Sequence, residues 1–287
     1  MEQLNKSRVL IFGMGGVGGY TVEALARSGI GHLTLVDSDV VDITNINRQL
    51  IATFDTVGKP KVDLFKERIH VISPDAEVIT HQVFYLPKKQ KHTSENKDFE
   101  NKDFENQYSE NRDSDNQDSV IEFNRRAGLD SINKEAPAPK SDISLLIPTD
   151  NVVTGDFFDF DNYDYVIDAI DTVSAKLDII ERCHKRGTPI ISAMGCGNRL
   201  DPTKLMVTDI FKTENDPLAK VIRKGLRDRG IKKLKVVASS ELPLKPIFQS
   251  SSDAPRPGKR VVPGSTSFVP SAAGLIIASE VVRDLIK

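Results

Sequence analysis

Cysteine is almost absent: 287 residues hold two, Cys183 and Cys196, with no CxxC pair. That excludes a zinc ribbon and a disulfide framework, and it suits two free thiols in a reducing compartment. Net charge is equally sparse, at −2, so any surface for nucleic acid or an anionic membrane has to be local. No apolar run reaches membrane-spanning length. The opening stretch MEQLNKSRVLIFG lacks the cationic flank and apolar stretch of a signal peptide. The expectation is a soluble, cytoplasmic protein with no membrane contact and enough chain for a substantial core.

What is present is alternation. Strands are expected at Arg8–Phe12, His32–Val36 and Glu77–Phe84, with helices at Gly18–Ser28 and Lys59–Ile72. The pattern resumes with strands at Tyr165–Ile170, Thr188–Met194, Lys204–Ile210 and Lys235–Ala238. Helices follow at Ser174–Arg186, after Asp216-Pro217, and at Ser271–Ile286. In the last, Ala272, Leu275, Ile276, Val282, Leu285 and Ile286 form the expected apolar stripe. Such β-α-β order predicts an α/β fold: a Rossmann-like, doubly wound, mostly parallel sheet with a smaller C-terminal extension. Between the two halves, residues 88–142 are rich in Asn, Asp, Glu, Lys and Ser and carry the block NKDFE twice. That composition cannot offset chain entropy by burial, so it reads as a disordered insertion. The division is therefore 1–87 and 143–211 for the nucleotide-binding domain, 88–142 for the insertion, and 212–287 for a basic helix, loop and terminal helix.

Gly13-Met-Gly15-Gly16-Val-Gly18 follows the first strand and opens the first helix. Glycines let the backbone approach phosphate, and the helix N-terminus presents N–H groups and a positive dipole end. Asp37 ends the second strand, where a carboxylate grips ribose hydroxyls. The motif alone does not choose between NAD and ATP. The extra residues point to ATP: Asp39, then Asn45, Asn47, Arg48 and Gln49, then Lys61 in the first turn of its helix. A cation there opposes the dipole unless a polyphosphate shares that end, and Arg48 offers a planar fork to phosphate oxygens. Asp168-Ala-Ile-Asp171 ends a strand. Asp171 would face the phosphates and hold Mg2+, while Asp168 is open to a loop-fixing role. Asn45 would position the α-phosphate or the substrate by hydrogen bonds.

Together these residues resemble the ThiF-type family, which includes ubiquitin-activating enzymes and sulfur-carrier adenylyltransferases. The resemblance covers Ser7–Phe84 and Tyr163–Asp209. Several stretches, among them EALARSGIGHLTLVDSDVVDITNINRQ, YDYVIDAIDTVSAK and SFVPSAAGLIIASEVV, are similar to the members that act on threonylcarbamoyladenosine in tRNA. The resemblance implies that ATP adenylylates the carboxylate of that modified nucleoside, after which a ring closes and AMP leaves. It further implies a homodimer. A monovalent cation, Na+ or K+, is a further cofactor whose site could be built from backbone carbonyls. Related adenylyltransferases carry an N-terminal arginine that reaches the partner's ATP; here seven residues precede Arg8 and none is arginine.

Between Lys212 and Lys235 there are nine Lys or Arg against three Asp or Glu. Lys220, Arg223, Lys224 and Arg227 share a helix face, a candidate contact for RNA phosphates or an ordinary solvated face. No aromatic-rich RNA-binding signature accompanies it. Cys196, flanked by Gly195 and Gly197, reads as a loop residue and Cys183 as helix packing. Other readings stay open: activation of a ubiquitin-like sulfur carrier's C-terminus, NAD-dependent oxidation, and a non-catalytic regulator on the same fold.

Overall fold

β1 (Arg8–Phe12, RVLIF) is buried at its last four residues. Side chains alternate across a strand, so Val9 and Ile11 enter one core layer while Leu10 and Phe12 enter the other. This double burial marks it as an interior strand of a mostly parallel α/β sheet. The computed structural model describes residues 2–87, 151–245 and 263–287. Met1–Lys88 and Val153–Lys287 form one unit; Lys89–Val152 form a second. The insertion expected at 88–142 lies outside the described residues.

The seven-stranded sheet has the order β3-β2-β1-β6-β7-β9-β8. Its strands are β2 (His32–Val36), β3 (Glu77–His81), β6 (Tyr165–Asp168), β7 (Ile190–Ala193), β8 (Leu205–Asp209) and β9 (Lys235–Ser239). All neighbours are parallel except β8 and β9. A separate two-stranded piece pairs β4 (Phe84–Leu86) with β5 (Val152–Thr154). The long strand expected over Glu77–Phe84 is therefore broken, with β3 ending at His81.

Helices cover both faces. One face carries α2 (Gly18–Arg27), α3 (Lys61–Ile72) and α6 (Phe268–Leu285), which bury Leu25, Phe65 and Ile277 with Val9 and Ile11. The other carries α4 (Val173–Arg186) and α5 (Pro217–Asp228), packed through Leu177, Ile180, Ile222 and Leu226. α4 stops at Gly187, whose φ of 76° suits a residue without Cβ. α5 starts where Asp216 accepts from Ala219 N at 2.9 Å, with Pro217 next. A short α1 (Glu2–Lys6), not expected, tucks Leu4 into the core.

α6 keeps part of its expected face: Ile276, Val282 and Leu285 pack against the core, while Leu275 and Ile286 are exposed. The buried line is Val269, Ala273, Ile277 and Val281, with Gly274 and Ala278 beside it. Over residues 268–278 the helix is apolar apart from Ser271, so hydrophobicity alone does not select its face there; close approach to α2 does. A Cβ on Gly274 would lie 2.3 Å from Val17 O, and Thr21 Oγ1 donates to Gly274 O at 3.1 Å. Among the described residues, no helix is long and apolar enough to cross a membrane.

Candidate active site

The chain leaves β1 toward β2 and β3 on one side and resumes with β6 on the other. This reversal opens a crevice beyond the C-terminal ends of β1 and β6, where doubly wound sheets bind ligands. The glycine turn fills its floor. Gly13 has φ +90°, and a Cβ there would sit 2.7 Å from Ala169 O. A Cβ on Gly18 would sit 1.8 Å from Gly13 O. Only glycine permits this packing of turn against the β6–α4 loop. Gly15 and Gly16 precede α2's first turn, and the N-cap, Val17, makes no side-chain cap. Gly19 N donates to Gly15 O at 3.0 Å, and with no side-chain cap the helix end keeps a positive pole suited to an anion.

Four segments border the turn. Asp37, at the end of β2, accepts from Met14 N at 2.5 Å and from Asp39 N at 2.8 Å. Burial and, more weakly, the neighbouring Asp39 push its pKa up to about 6, against the opposing pull of Lys61 and the backbone N–H groups. Lys61, the first residue of α3, is 3% exposed and donates to Asp39 Oδ2 at 2.8 Å. Asp39 thus already supplies a counter-charge, which corrects the expectation that a polyphosphate alone would offset the dipole there.

The second segment is the short turn after β2. Asp42 caps it, and buried Asn45 accepts from Asp42 N at 3.1 Å in a reciprocal box. Asn45 therefore builds the turn with its side-chain oxygen. Asn47 donates to Ser265 O at 3.0 Å, and Arg48 Nη1 donates to Thr44 O at 2.7 Å and Asn47 Oδ1 at 2.9 Å. Burial lowers the Arg48 pKa, with Asp42 opposing. Arg48 O lies 3.5 Å from where a Gly16 Cβ would stand. Gln49 is buried, its Nε2 3.9 Å from the same point on Gly15, and its Oε1 is a buried acceptor with no partner among the described residues. An unmet acceptor beside an uncapped helix end suits a bound polar ligand.

The third segment is Asp168–Asp171. Asp168 is fully buried and accepts from Lys176 Nζ at 2.7 Å and Ser192 Oγ at 2.5 Å. Lys176 spends its other donors on Ser192 Oγ at 3.1 Å and Ala193 O at 3.0 Å. Burial raises the Asp168 pKa against those partners. Its role is to fix the loop, bonding Ile170 N at 3.3 Å. Asp171 is exposed just beyond, two residues before α4. A carboxylate at this loop is of the kind that would share Mg2+ with phosphate oxygens, since that cation takes few protein ligands. The fourth segment is α6, whose Pro270 Cβ approaches the Gly16 position at 3.3 Å.

The cysteines are as expected. Cys183 is buried, and burial pushes the Cys196 thiol up to about 12, against a reactive thiolate. The α5 stripe is not uniform. Lys220, Lys224 and Arg227 are exposed, but Arg223 turns inward to Thr213 O at 2.9 Å and Ile210 O at 3.4 Å. Sequence reading missed Lys176 and the buried Arg199, which donates to Ser239 O at 2.6 Å and Asn215 O at 3.0 Å. The available signal was a lysine at a core-facing position of α4, three residues before Ile179 and four before Ile180.

Residues 1–104 match the ThiF family. Along its whole length the chain is 38% identical to the tRNA threonylcarbamoyladenosine dehydratase of Bacillus subtilis (strain 168), spanning 90% of that protein. The chain belongs to the tRNA threonylcarbamoyladenosine dehydratase family. The structure of the E. coli tRNA N6-threonylcarbamoyladenosine dehydratase in complex with AMP superposes with a TM-score of 0.67 at 27% identity, covering 99% of this chain and 88% of that one. The same enzyme in complex with ATP gives 0.65, also at 27% identity and with the same coverage. The doubly wound fold read from the sequence is thus that of the family, and the crevice lies where such folds take nucleotides.

Proposed function

We propose that this protein is an ATP-dependent tRNA threonylcarbamoyladenosine dehydratase. The observation that carries the reading is the convergence of four segments on one glycine turn, in a chain similar along its whole length to a dehydratase of that name. In the proposed reaction the nucleoside's carboxylate attacks the α-phosphorus of ATP. A new O–P bond forms, the bond to the β-phosphate oxygen breaks, and pyrophosphate leaves. The neighbouring carbamoyl group then attacks the activated carbonyl, closes a ring and expels AMP, so that water is lost overall.

Each site residue has work in that sequence. Both reactants are anionic, and Arg48 and Lys61 lower the repulsion as charge develops on the leaving group. Asp37 binds ribose hydroxyls; Gly13, Gly15, Gly16 and Gly18 bring backbone to the phosphates. Asp39 and Asn47 hold Lys61 and Arg48 in place, Asn45 shapes the turn that carries Arg48, and Gln49 offers its unmet acceptor to the nucleotide. Asp171 would hold Mg2+, which would neutralise phosphate charge. A monovalent cation, Na+ or K+, and a homodimer complete the proposal.

The test is purified protein with ATP and tRNA bearing the open nucleoside. AMP should appear one for one with the cyclic nucleoside, read by mass spectrometry of digested tRNA. Arg48→Ala should reduce turnover by about 100-fold or more, the scale of losing one charge-stabilising group. AMP release driven by a small protein ending in Gly-Gly, with tRNA inert, would establish the sulfur-carrier reading instead.

A further inference from the structure

The basic stretch Lys212–Lys235 contains nine cations, but the fold commits several of them elsewhere. Arg223 donates to the carbonyls that close the turn before α5. Arg229 pairs with Glu181 at 2.9 Å, and Lys235 with Asp284 at 2.5 Å. Of the three carboxylates, Asp216 is buried, capping α5 and accepting from Gly195 N at 2.9 Å, which leaves Glu214 and Asp228. Apart from the paired Arg229, what faces solvent still carries six cations, Lys212, Lys220, Lys224, Arg227, Lys232 and Lys233, against two carboxylates, Glu214 and Asp228. Lys220 and Arg227 lie two turns apart on one face of α5, and Lys232 and Lys233 follow its end, all exposed.

At the centre of this surface is an open hollow of about 360 Å³ lined by Phe211, Arg227, Gly230, Ile231 and Lys232. The Arg227 guanidinium lies over the Phe211 ring, 5.5 Å from its centroid. Gly230, at φ +70°, turns the chain sharply after α5 and brings Ile231 and Lys232 back beside the ring. An aromatic face, a planar guanidinium and a lysine around one hollow are the chemistry that holds an unstacked base and its phosphate. Neither the glycine-turn site nor its bordering segments include any of these residues.

We propose that the Phe211–Arg227 hollow is a second RNA-contact site, taking an unstacked base of the substrate tRNA while Lys220, Lys232 and Lys233 contact the adjoining phosphates. The proposal rests on tRNA being the substrate, and it adds where on this surface the RNA lies. Charge admits either RNA or an acidic peptide; the ring and guanidinium select RNA, because carboxylate side chains give them no aromatic face to stack on.

The test is tRNA binding measured across a salt series for the intact protein and two variants. In the Arg227→Glu/Lys232→Glu/Lys233→Glu variant, affinity should fall about tenfold or more, and the log–log salt slope should become shallower by about two, as lost phosphate contacts require. Phe211→Leu keeps apolar volume but removes the ring. It should weaken binding about fivefold, with the salt slope unchanged. ATP binding without RNA should be equal in all three proteins, which shows that each is folded. A triple variant that binds tRNA like the parent overturns the site, and a Phe211→Leu variant that does so overturns the base contact. A parent protein that binds ATP but no tRNA defeats the dehydratase reading as well, and the two failures are distinguished by the parent's own curve.

Discussion

Lys176 and Asp168 form an ion pair in which both side chains are wholly buried. Such a pair adds little net stability, but removing one partner strands a charge in the interior. Lys176→Met should therefore cost about 3–5 kcal/mol in urea unfolding. The loss should shrink in acid, where Asp168 takes up a proton. Asp37 offers a prediction read by binding. Its pKa stands at about 6, so the ionised form that would accept from ribose hydroxyls in the proposed site is full only above that pH. Nucleotide affinity measured by calorimetry should fall as pH is lowered through about 6, and Asp37→Asn should bind weakly with that dependence gone. The glycine turn, Asp37 and Lys61 were legible because their spacing follows from local backbone needs. Lys176 was not, because its partners arrive from β6 and β7 and only tertiary packing brings them to it.

Among elements, α6 depends on anchors as well as on its apolar face. Asp284 accepts from Lys235 of β9 at 2.5 Å, from Tyr165 of β6 at 2.9 Å and from Lys287 at 2.8 Å. Partial burial raises its pKa, but Lys235, Lys287 and Tyr165 outweigh that and bring it to about 2, below its ordinary value of 3.8. A depressed carboxylate pKa stabilises the fold above the unfolded value, and that stability is lost as pH falls toward the folded one. Asp284→Asn should thus cost about 1–2 kcal/mol at neutral pH. Thermal melts of the variant and parent should converge between about pH 4 and pH 2. β1, β2 and α4 were legible because doubly buried runs and a glycine stop signal show in one dimension. The burial face of α6 was legible only in part: the stretch 268–278 is apolar apart from Ser271 and carries little periodic signal, and its orientation is set by the small Gly274 against Val17. The short β4 and β5 carry too few residues to show alternation.

For the whole molecule, β4 pairs with β5, so the chain leaves and re-enters the described residues around the stretch 88–150 on adjacent strands. A short connection can then replace most of it, since loop closure costs little once the ends are neighbours. Substituting residues 89–142 by a brief Gly-Ser linker should leave the melting temperature within a few degrees and nucleotide affinity unchanged. A collapse of either would show that the insertion belongs to the fold. The site draws on residues spread from Gly13 to Pro270, with Ser265 held by Asn47 and Pro270 set against Gly16. During synthesis, the glycine loop leaves the ribosome long before α6, which borders it through Pro270. A growing chain therefore lacks that border until α6 has emerged, and cotranslational nucleotide capture would report that this helix has been made and has docked.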